Sequence, residues 1–380
     1  MDRSFKAIMG TVLAPEGVYE DGVVLIEGDT IRSVGARACE ELPPGCDVIS
    51  EGGFVIPGLI DVHCHGTRLH DALAGTPQAL MAMARAQARA GVTGFLPTVA
   101  TASWPTMLKA VKAVGELVHT DTGGAQVLGS HVEGPFLSKD YPGAQSTDCF
   151  LEPSVERVQE LIAAGSGSIR MMTLAPELPG ALELIRFLRD QKIVPAMGHT
   201  GATYQQALAA VEAGCAYGIH SFNGMRSLDA REPATIGAGL ADDRVTLELL
   251  SDCVHIHPAV MRFLIHGREN RICLATDLIQ AREYLPGDYG AAYTGEAYLA
   301  NNTAFLDQAV RNVVNFAGVP LPQAVSMATF VPASVIGLAD RKGSLAPGMD
   351  ADVVVLDDDY YPMLTLVAGD PVFQAVPRLG

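Results

Sequence analysis

From about residue 58 to residue 342 the chain repeats one pattern: a short apolar run, then a longer stretch with helical spacing of its apolar residues. The runs are Leu59–His65, Gly94–Val99, Gln126–Glu133, Ile169–Leu174, Ile193–His199, Ala216–His220, Val245–Asp252 and Ile272–Asp277. Between them Pro77–Ala90, Trp104–Val118, Val155–Ala164 and Ala181–Gln191 read as helices. Tyr204, Ala207, Leu208 and Val211 follow the i, i+3, i+4, i+7 spacing of a buried helix face. Repeated strand–helix units impose a parallel sheet. Eight of them predict an α/β fold, a closed TIM-like (β/α)8 barrel, for which about 250 residues is typical. An open doubly wound sheet is the competing arrangement, but no glycine-rich phosphate loop follows the first run.

The two ends of the chain differ from this middle. Phe5–Val12, Gly22–Glu27 and Thr30–Val34 read as short strands, the last two joined by a Gly28-Asp29 turn. Ala351–Leu356 is a further apolar strand after the turn Pro347-Gly348-Met349-Asp350. The expectation is a small β-sandwich domain built from residues 1–57 and 343–380, with the barrel of residues 58–342 inserted between them.

Barrels of this kind carry their reactive residues at the C-terminal ends of the strands. Here those ends are occupied by His63 and His65, Glu133, His199, His220 and Asp277. In a strand His63 and His65 share one face, while Cys64 points to the other. Taken singly, each residue has an ordinary reading. A histidine at a strand end is commonly a hydrogen-bonded scaffold residue, an aspartate after threonine can cap the next segment, and a glutamate before Gly-Pro can be a turn residue. Together they place imidazoles and carboxylates at one mouth, the donor set that suits a divalent ion such as Zn or Fe.

Such an ion lowers the pKa of water to about 7 and polarises a carbonyl oxygen. A carboxylate beside that water can take its proton and return it to a leaving amine, and Asp277 is the candidate. No Gly-x-Ser-x-Gly elbow competes for the role. The predicted chemistry is hydrolysis of an amide or a related bond.

Other classes are excluded or disfavoured. The net charge of −17 leaves no basic surplus for nucleic acid. Hydrophobic residues make up 48 % and charged residues 18 %, the balance of a chain with a large core. No run reaches the ~18 apolar residues of a membrane span. The seven cysteines form no CxxC pair, and the N-terminus lacks a signal-peptide pattern, so a cytoplasmic protein is expected.

The motifs resemble those of the N-acetylglucosamine-6-phosphate deacetylase family of the amidohydrolase superfamily. Pro57-Gly58-Leu59-Ile60-Asp61-Val62-His63-Cys64-His65 matches the superfamily's opening strand, and His131-Val132-Glu133-Gly134-Pro135-Phe136 matches the deacetylase ligand motif. Gly198-His199-Thr200 and His220-Ser221-Phe222-Asn223-Gly224-Met225 resemble its two metal-histidine motifs. Lys342–Asp352 resembles the return into the small β domain.

The resemblance implies that Glu133, His199 and His220 hold a main ion and that His63 and His65 allow a second, giving one or two ions per subunit. Asp277, also a candidate ligand, would be the general acid/base, with His255 as its catalytic companion at the substrate. Ala144, Gln145, Asn223, Gly224, Arg231 and His255 are the implied substrate contacts. The implied partner is a small molecule, an N-acetylated amino-sugar phosphate, and the implied assembly is a homodimer. Departures from the family pattern cluster in the pocket: Gly66-Thr67-Arg68-Leu69-His70 after His65, Gln145 where histidine is usual, Cys253, Leu278, and Leu299-Ala300-Asn301-Asn302. Arg68, Arg226 and Arg282 are alternative anion contacts. An amidohydrolase acting on a different N-acyl or cyclic amide is the alternative function, and a non-catalytic binding protein on the same scaffold is the third.

Overall fold

The computed structural model describes residues 5–67, 69–279 and 304–375, and the backbone alone of 291–294 and 298–302. The chain opens with β1 (Phe5–Ala14), β2 (Gly17–Glu27), β3 (Thr30–Ala36) and β4 (Asp47–Pro57). Pro57-Gly58 then leads directly into the first of eight barrel strands. These are β5 (Leu59–Cys64), β6 (Val92–Val99), β7 (Ser130–Glu133), β8 (Ile169–Leu174), β9 (Val194–Met197), β10 (Tyr217–Gly218), β11 (Thr246–Leu249) and β12 (Ile272–Leu274). Consecutive strands pair in parallel throughout. The ring closes just past β12, where Leu278 bridges Cys64 in parallel and the Asp277 N–H donates to the His63 carbonyl at 2.8 Å.

The helices fall where the apolar periodicity placed them: α1 (Pro77–Arg89), α2 (Trp104–Leu117), α3 (Val155–Ala164), α4 (Ala181–Asp190) and α5 (Tyr204–Ala213). Thr203 caps α5 with a reciprocal Thr–Gln206 box, which satisfies two otherwise unpaired N–H groups. Leu80, Met83, Val111, Leu161, Leu184 and their neighbours pack this ring onto the outer faces of the strands. A separate cluster drawn largely from the strands, including Ile60, Val62, Leu96, Met171, Tyr217 and Cys273, fills the interior.

The chain returns as β13 (Val353–Leu356), β14 (Pro362–Val367) and β15 (Asp370–Gln374). With β1–β4 they form one seven-stranded sheet in the order β15-β14-β13-β4-β1-β2-β3. Only the β1–β4 pair is parallel. The sheet rolls around a single core: Val24 and Ile26 of β2 share a cluster with Leu364 and Leu366 of β14, four strands away in the order. Lys6 fastens the roll by donating to the Gly369 carbonyl at 2.6 Å and to Asp370 at 3.0 Å. Because β13 pairs with β4 immediately before β5, both chain ends brace the entry to the strand that carries His63.

Several predicted strands are longer than the observed ones, Val245–Asp252 among them, and at three of those ends the reason is the same. His199, His220 and Asp277 have φ of 47°, 30° and 49°, so the chain leaves the ladder before reaching them. A left-handed conformation at a non-glycine residue costs roughly 1–3 kcal/mol and persists only where the surrounding structure holds it. The third predicted strand is also divided, because Gly129 at φ 139° lies against Arg170 and Ser168 with no room for a side chain.

β5 contains the irregularity that matters most. Its pairing with β6 slips between Asp61 and Cys64. Asp61, which would share the face of His63 in a regular strand, reaches Gln87 of α1 at 3.0 Å and Thr276 Oγ1 at 2.7 Å. Val62 joins the interior core, and His63 is freed to enter the mouth. Burial pushes the Asp61 carboxyl up to about 6 despite those hydrogen bonds. A raised carboxyl stabilises the fold below the unfolded pKa and loses that contribution as pH climbs through about 6. Gln87 Oε1 is buried without a partner among the described residues, so an amide at position 61 gains an acceptor. Asp61→Asn is therefore expected to match or exceed the wild-type stability above pH 6. Asp61→Ala should cost about 1–3 kcal/mol by orphaning buried donors. Urea unfolding of the metal-free proteins at pH 8 measures both, and an Asn variant as weak as the Ala variant contradicts the account.

Candidate metal centre

Six predicted residues from five strand ends, His63 and His65, Glu133, His199, His220 and Asp277, meet at the C-terminal mouth, all of them buried. Two overlapping donor groups result, one of His63, His65 and Glu133, the other of Glu133, His199 and His220. In the first, His63 Nε2 and His65 Nε2 are 3.2 Å apart. Asp277 Oδ1 lies 3.3 Å from His63 and 3.2 Å from His65, and Glu133 Oε2 lies 3.2 Å from His65. In the second, His199 Nε2 and His220 Nε2 are 3.2 Å apart and stand 3.1 and 3.3 Å from Glu133 Oε1. Ligand atoms about 2.0–2.1 Å from one tetrahedral ion are separated by roughly 3.3 Å, so both groups have the spacing an ion requires.

The far side of each ring explains the orientation. Nδ1 of His63 meets Glu248 Oε1 at 2.9 Å, Nδ1 of His199 meets the Tyr141 carbonyl at 3.0 Å, and Nδ1 of His220 meets the Asn223 carbonyl at 2.9 Å. Carbonyls and carboxylates only accept, so each Nδ1 donates and each Nε2 is the ring atom left facing the cluster, where it would offer a lone pair to an ion. Gly143 and Gly224, both at positive φ, lie against the His199 ring. A Cβ would come within 2.8 Å of its Cε1 at Gly143 and 3.0 Å of its Nδ1 at Gly224. Side chains there would push the ring out of the group.

Buried charges set the electrostatics. Burial pushes the His63 imidazole down, but the Glu248, Asp277 and Glu133 carboxylates outweigh it and raise it to about 9. His65 and His220 are raised against burial in the same way, His65 by Asp277 and Glu133 and His220 chiefly by Glu133. Burial would raise Glu133 and Asp277, yet Glu133 is held well below its usual range by His199, His220 and His65, and Asp277 is lowered by His63 and His65. In the metal-free protein His63 is thus an imidazolium at neutral pH, paired with Glu248 and Asp277, and its proton stands where a cation would.

Three participants escaped the sequence reading. Glu248 is fully buried and accepts from His63, from the His220 N–H at 2.9 Å and from the Tyr217 hydroxyl at 3.0 Å. Its signal was a lone charge inside the apolar run Val245–Leu250. His131, two residues before Glu133, packs its ring 4.7 Å from that of His63. Burial and the neighbouring His63 hold it well below its usual range, so it stays neutral between the Val62 carbonyl and Thr173. Thr101 donates its hydroxyl to the Glu133 carbonyl at 3.0 Å.

The implied substrate contacts are more scattered. His255 Nδ1 is held by Asp252 Oδ2 at 2.6 Å, which fixes its ring. Asn223 is partly buried, its amide on the Ser221 carbonyl at 3.1 Å. Ala144 is exposed on the loop after β7, and Gln145 turns inward to Glu133 at 2.6 Å. Arg231 is exposed before α6 (Ala234–Ala241), with no side-chain partner among the described residues. Arg226 donates to the Gly201 carbonyl at 2.8 Å, whereas Arg68 and Arg282 lie outside the described residues. Leu299–Asn302 falls in the hairpin of Ala291–Thr294 and Tyr298–Asn302, described by its backbone alone.

An amidohydrolase family model matches residues 54–378. The chain belongs to the amidohydrolase family. An Escherichia coli O157:H7 protein, N-acetylgalactosamine-6-phosphate deacetylase, is 38 % identical, the match covering 94 % of this chain and 96 % of that one. The N-acetylglucosamine-6-phosphate deacetylase of Vibrio furnissii is 34 % identical over 94 % of this chain and 92 % of its own. A mutant of the Mycobacterium smegmatis N-acetyl-D-glucosamine-6-phosphate deacetylase, solved in complex with N-acetyl-D-glucosamine-6-phosphate, superposes with a TM-score of 0.88 at 32 % identity. That match covers 98 % of this chain and all of the other. No helix among the described residues is long and apolar enough to cross a membrane.

The raised imidazoles have a measurable consequence. His63 contributes stability to the metal-free protein below pH 6.5 and loses it as pH rises through about 9. A divalent ion must displace those protons, so its uptake at pH 7 should release protons and weaken as pH falls. Calorimetric titrations in buffers of different ionisation enthalpy should give different apparent heats, and identical heats would refute the protonated cluster. Glu248→Gln keeps the acceptor but removes the charge behind His63. It should weaken ion binding ~10–100-fold, read by competition with a chelating dye.

Proposed function

We propose that this protein hydrolyses the N-acetyl amide of an amino-sugar 6-phosphate, in the manner of an N-acetylglucosamine-6-phosphate deacetylase, releasing acetate and the free amine. The observation that carries the reading is Glu133 standing between two imidazole pairs, in a family and beside relatives that are amino-sugar phosphate deacetylases. We assign the donors to one or two divalent ions, Zn or Fe, with Glu133, His199 and His220 as one set and His63, His65 and Asp277 completing the other. When bound, a divalent ion supplies Lewis acidity to the amide carbonyl and brings a water molecule toward ionisation at neutral pH.

The chain's own groups do the rest. Asp277 keeps a carboxylate ionised among His63 and His65, ready to take a proton from water. The water oxygen forms the new C–O bond, the C–N bond breaks, and Asp277 returns the proton to the departing nitrogen. We assign His255, oriented by Asp252, to the substrate carbonyl. Asn223, Gly224, Arg231 and the Ala144-Gln145 segment bound the sugar phosphate side, and the Arg231 guanidinium suits phosphate because its planar fork binds two oxygens at once. We assign all of these roles to residues 58–342, and to residues 1–57 with 343–380 a supporting unit. The substrate is a small molecule, and a homodimer in the cytoplasm is the assembly and setting we propose.

Asp277→Asn should lower kcat about 10²–10⁴-fold, the usual worth of a placed acid/base, while the purified variant retains metal at the His199 and His220 side. Full activity in that variant would sink the mechanism. Arg231→Met should raise KM for the 6-phosphate and leave the unphosphorylated N-acetyl sugar unaffected. Acetate release from gluco and galacto epimers, from other N-acyl compounds and from cyclic amides reads the substrate. Turnover confined to non-sugar amides would favour the alternative amidohydrolase.

A further inference from the structure

The Gln145 side chain is spent at both ends. Its Oε1 accepts from the Thr101 backbone N–H at 3.0 Å, and its Nε2 reaches Glu133 Oε2 at 2.6 Å and His199 Nε2 at 3.3 Å. The Thr101 donor decides which way the amide faces: only the carbonyl oxygen can accept that N–H, so the NH2 group points into the cluster. Thr101 also grips Glu133 from behind, its hydroxyl donating to the Glu133 carbonyl at 3.0 Å. Gly134 follows, and a Cβ there would collide with the Thr101 hydroxyl, so the loop after β6 is pressed against the end of β7. Gln145 is therefore anchored to one strand end while it holds the carboxylate of the next.

That hold selects an orientation of Glu133. Oε1 faces His199 and His220 at 3.1 and 3.3 Å, and Oε2 faces His65 at 3.2 Å with Gln145 beside it. A carboxylate oxygen has two lone pairs, so the amide can use one of Oε2 and leave the other toward the His65 side. The last torsion of Glu133 has no sharp rotamer of its own, so without the amide only the imidazoles fix its plane. Among the described residues the other group that faces Oε2 is the imidazole of His65, whose Nε2 is itself a candidate ligand atom.

We propose that Gln145 is a positioning residue for the metal centre: its amide, locked by Thr101, fixes Glu133 as a bridge between the two donor groups and so sets occupancy of the His63–His65 position. The assignment rests on the two-ion reading of the site and is independent of which substrate is cleaved. It gives Gln145 a task on the carboxylate besides its place in the segment that bounds the sugar.

The test uses Gln145→Met, which keeps the length of the side chain without a donor, and Gln145→Ala, which removes it. Metal-stripped full-length proteins are titrated with Zn²⁺ and, separately, with Fe²⁺ under anaerobic conditions, and ion content after dialysis is measured by elemental analysis. Wild type is expected to take up two ions. Both variants are expected to keep one at near wild-type affinity and to bind the other ~10–100-fold more weakly, the usual effect of losing a group that orients a ligand. Circular dichroism and thermal melts of the stripped proteins confirm that the variants are folded. Two tightly held ions in Gln145→Met overturn the assignment, since packing alone would then suffice. A wild type that never exceeds one ion overturns the two-ion reading and the assignment with it, and is told apart because it appears before any variant is made.

Discussion

The centre depends on one buried carboxylate. Glu133 lies among His65, His199 and His220, with His63 at 3.7 Å, and is almost without solvent. An isolated charge in such a place would cost several kcal/mol after relaxation, and it persists only because imidazoles surround it. Those imidazoles persist because carboxylates surround them in turn. Glu248 stands behind His63 and Asp277 beside it, so no charge of one sign is buried without the other. Such a set is tolerable as protonated pairs and better matched by a divalent ion, whose charge the acidic side chains already anticipate.

The backbone carries the cost of bringing these groups together. His199, His220 and Asp277 sit in left-handed conformations where a strand would otherwise continue, and β5 slips its register before His63. Each distortion spends some stability to aim one side chain. The surrounding structure can hold them because the strands are packed on both faces, by the interior cluster and by the helix layer. The rolled terminal sheet adds a brace at the entry to β5, through β13 on β4 and the Gly58 N–H on the Asp352 carbonyl at 2.9 Å. Strain at the mouth and support at the base belong to the same design.

Much of this was legible in the residues. Helices are periodic over ten or more residues, so α1 to α4 were placed within a residue and the buried face of α5 was recognised. The strand-end residues announced the mouth, because ordinary readings that serve for one such residue do not account for five strand ends at once. What escaped was of two kinds. Left-handed termini such as His220 leave no mark in hydrophobic pattern, so the predicted strands ran too long. Partners remote in sequence, such as Glu248 for His63 at a separation of 185 residues, cannot be paired without coordinates. Glu248 could have been suspected, since a carboxylate flanked by Leu247 and Leu249 in a doubly buried strand must be facing something positive or polar.

The same reasoning separates the ligands from the pocket. Ligand geometry is dictated by an ion's small radius, so the residues that meet it are buried, rigid and few, and they read clearly from spacing. A substrate has a larger and softer shape, and the residues we propose to meet it, such as Ala144 and Arg231, sit on loops where the side chains are exposed and periodicity is absent. Gln145 shows how a residue on such a loop can cross from one group to the other. Its amide is long enough to leave the rim and reach the carboxylate, and once Thr101 holds the oxygen, only the NH2 remains to act. Chemistry at this mouth is therefore constrained from the metal side outward, with freedom increasing toward the loops.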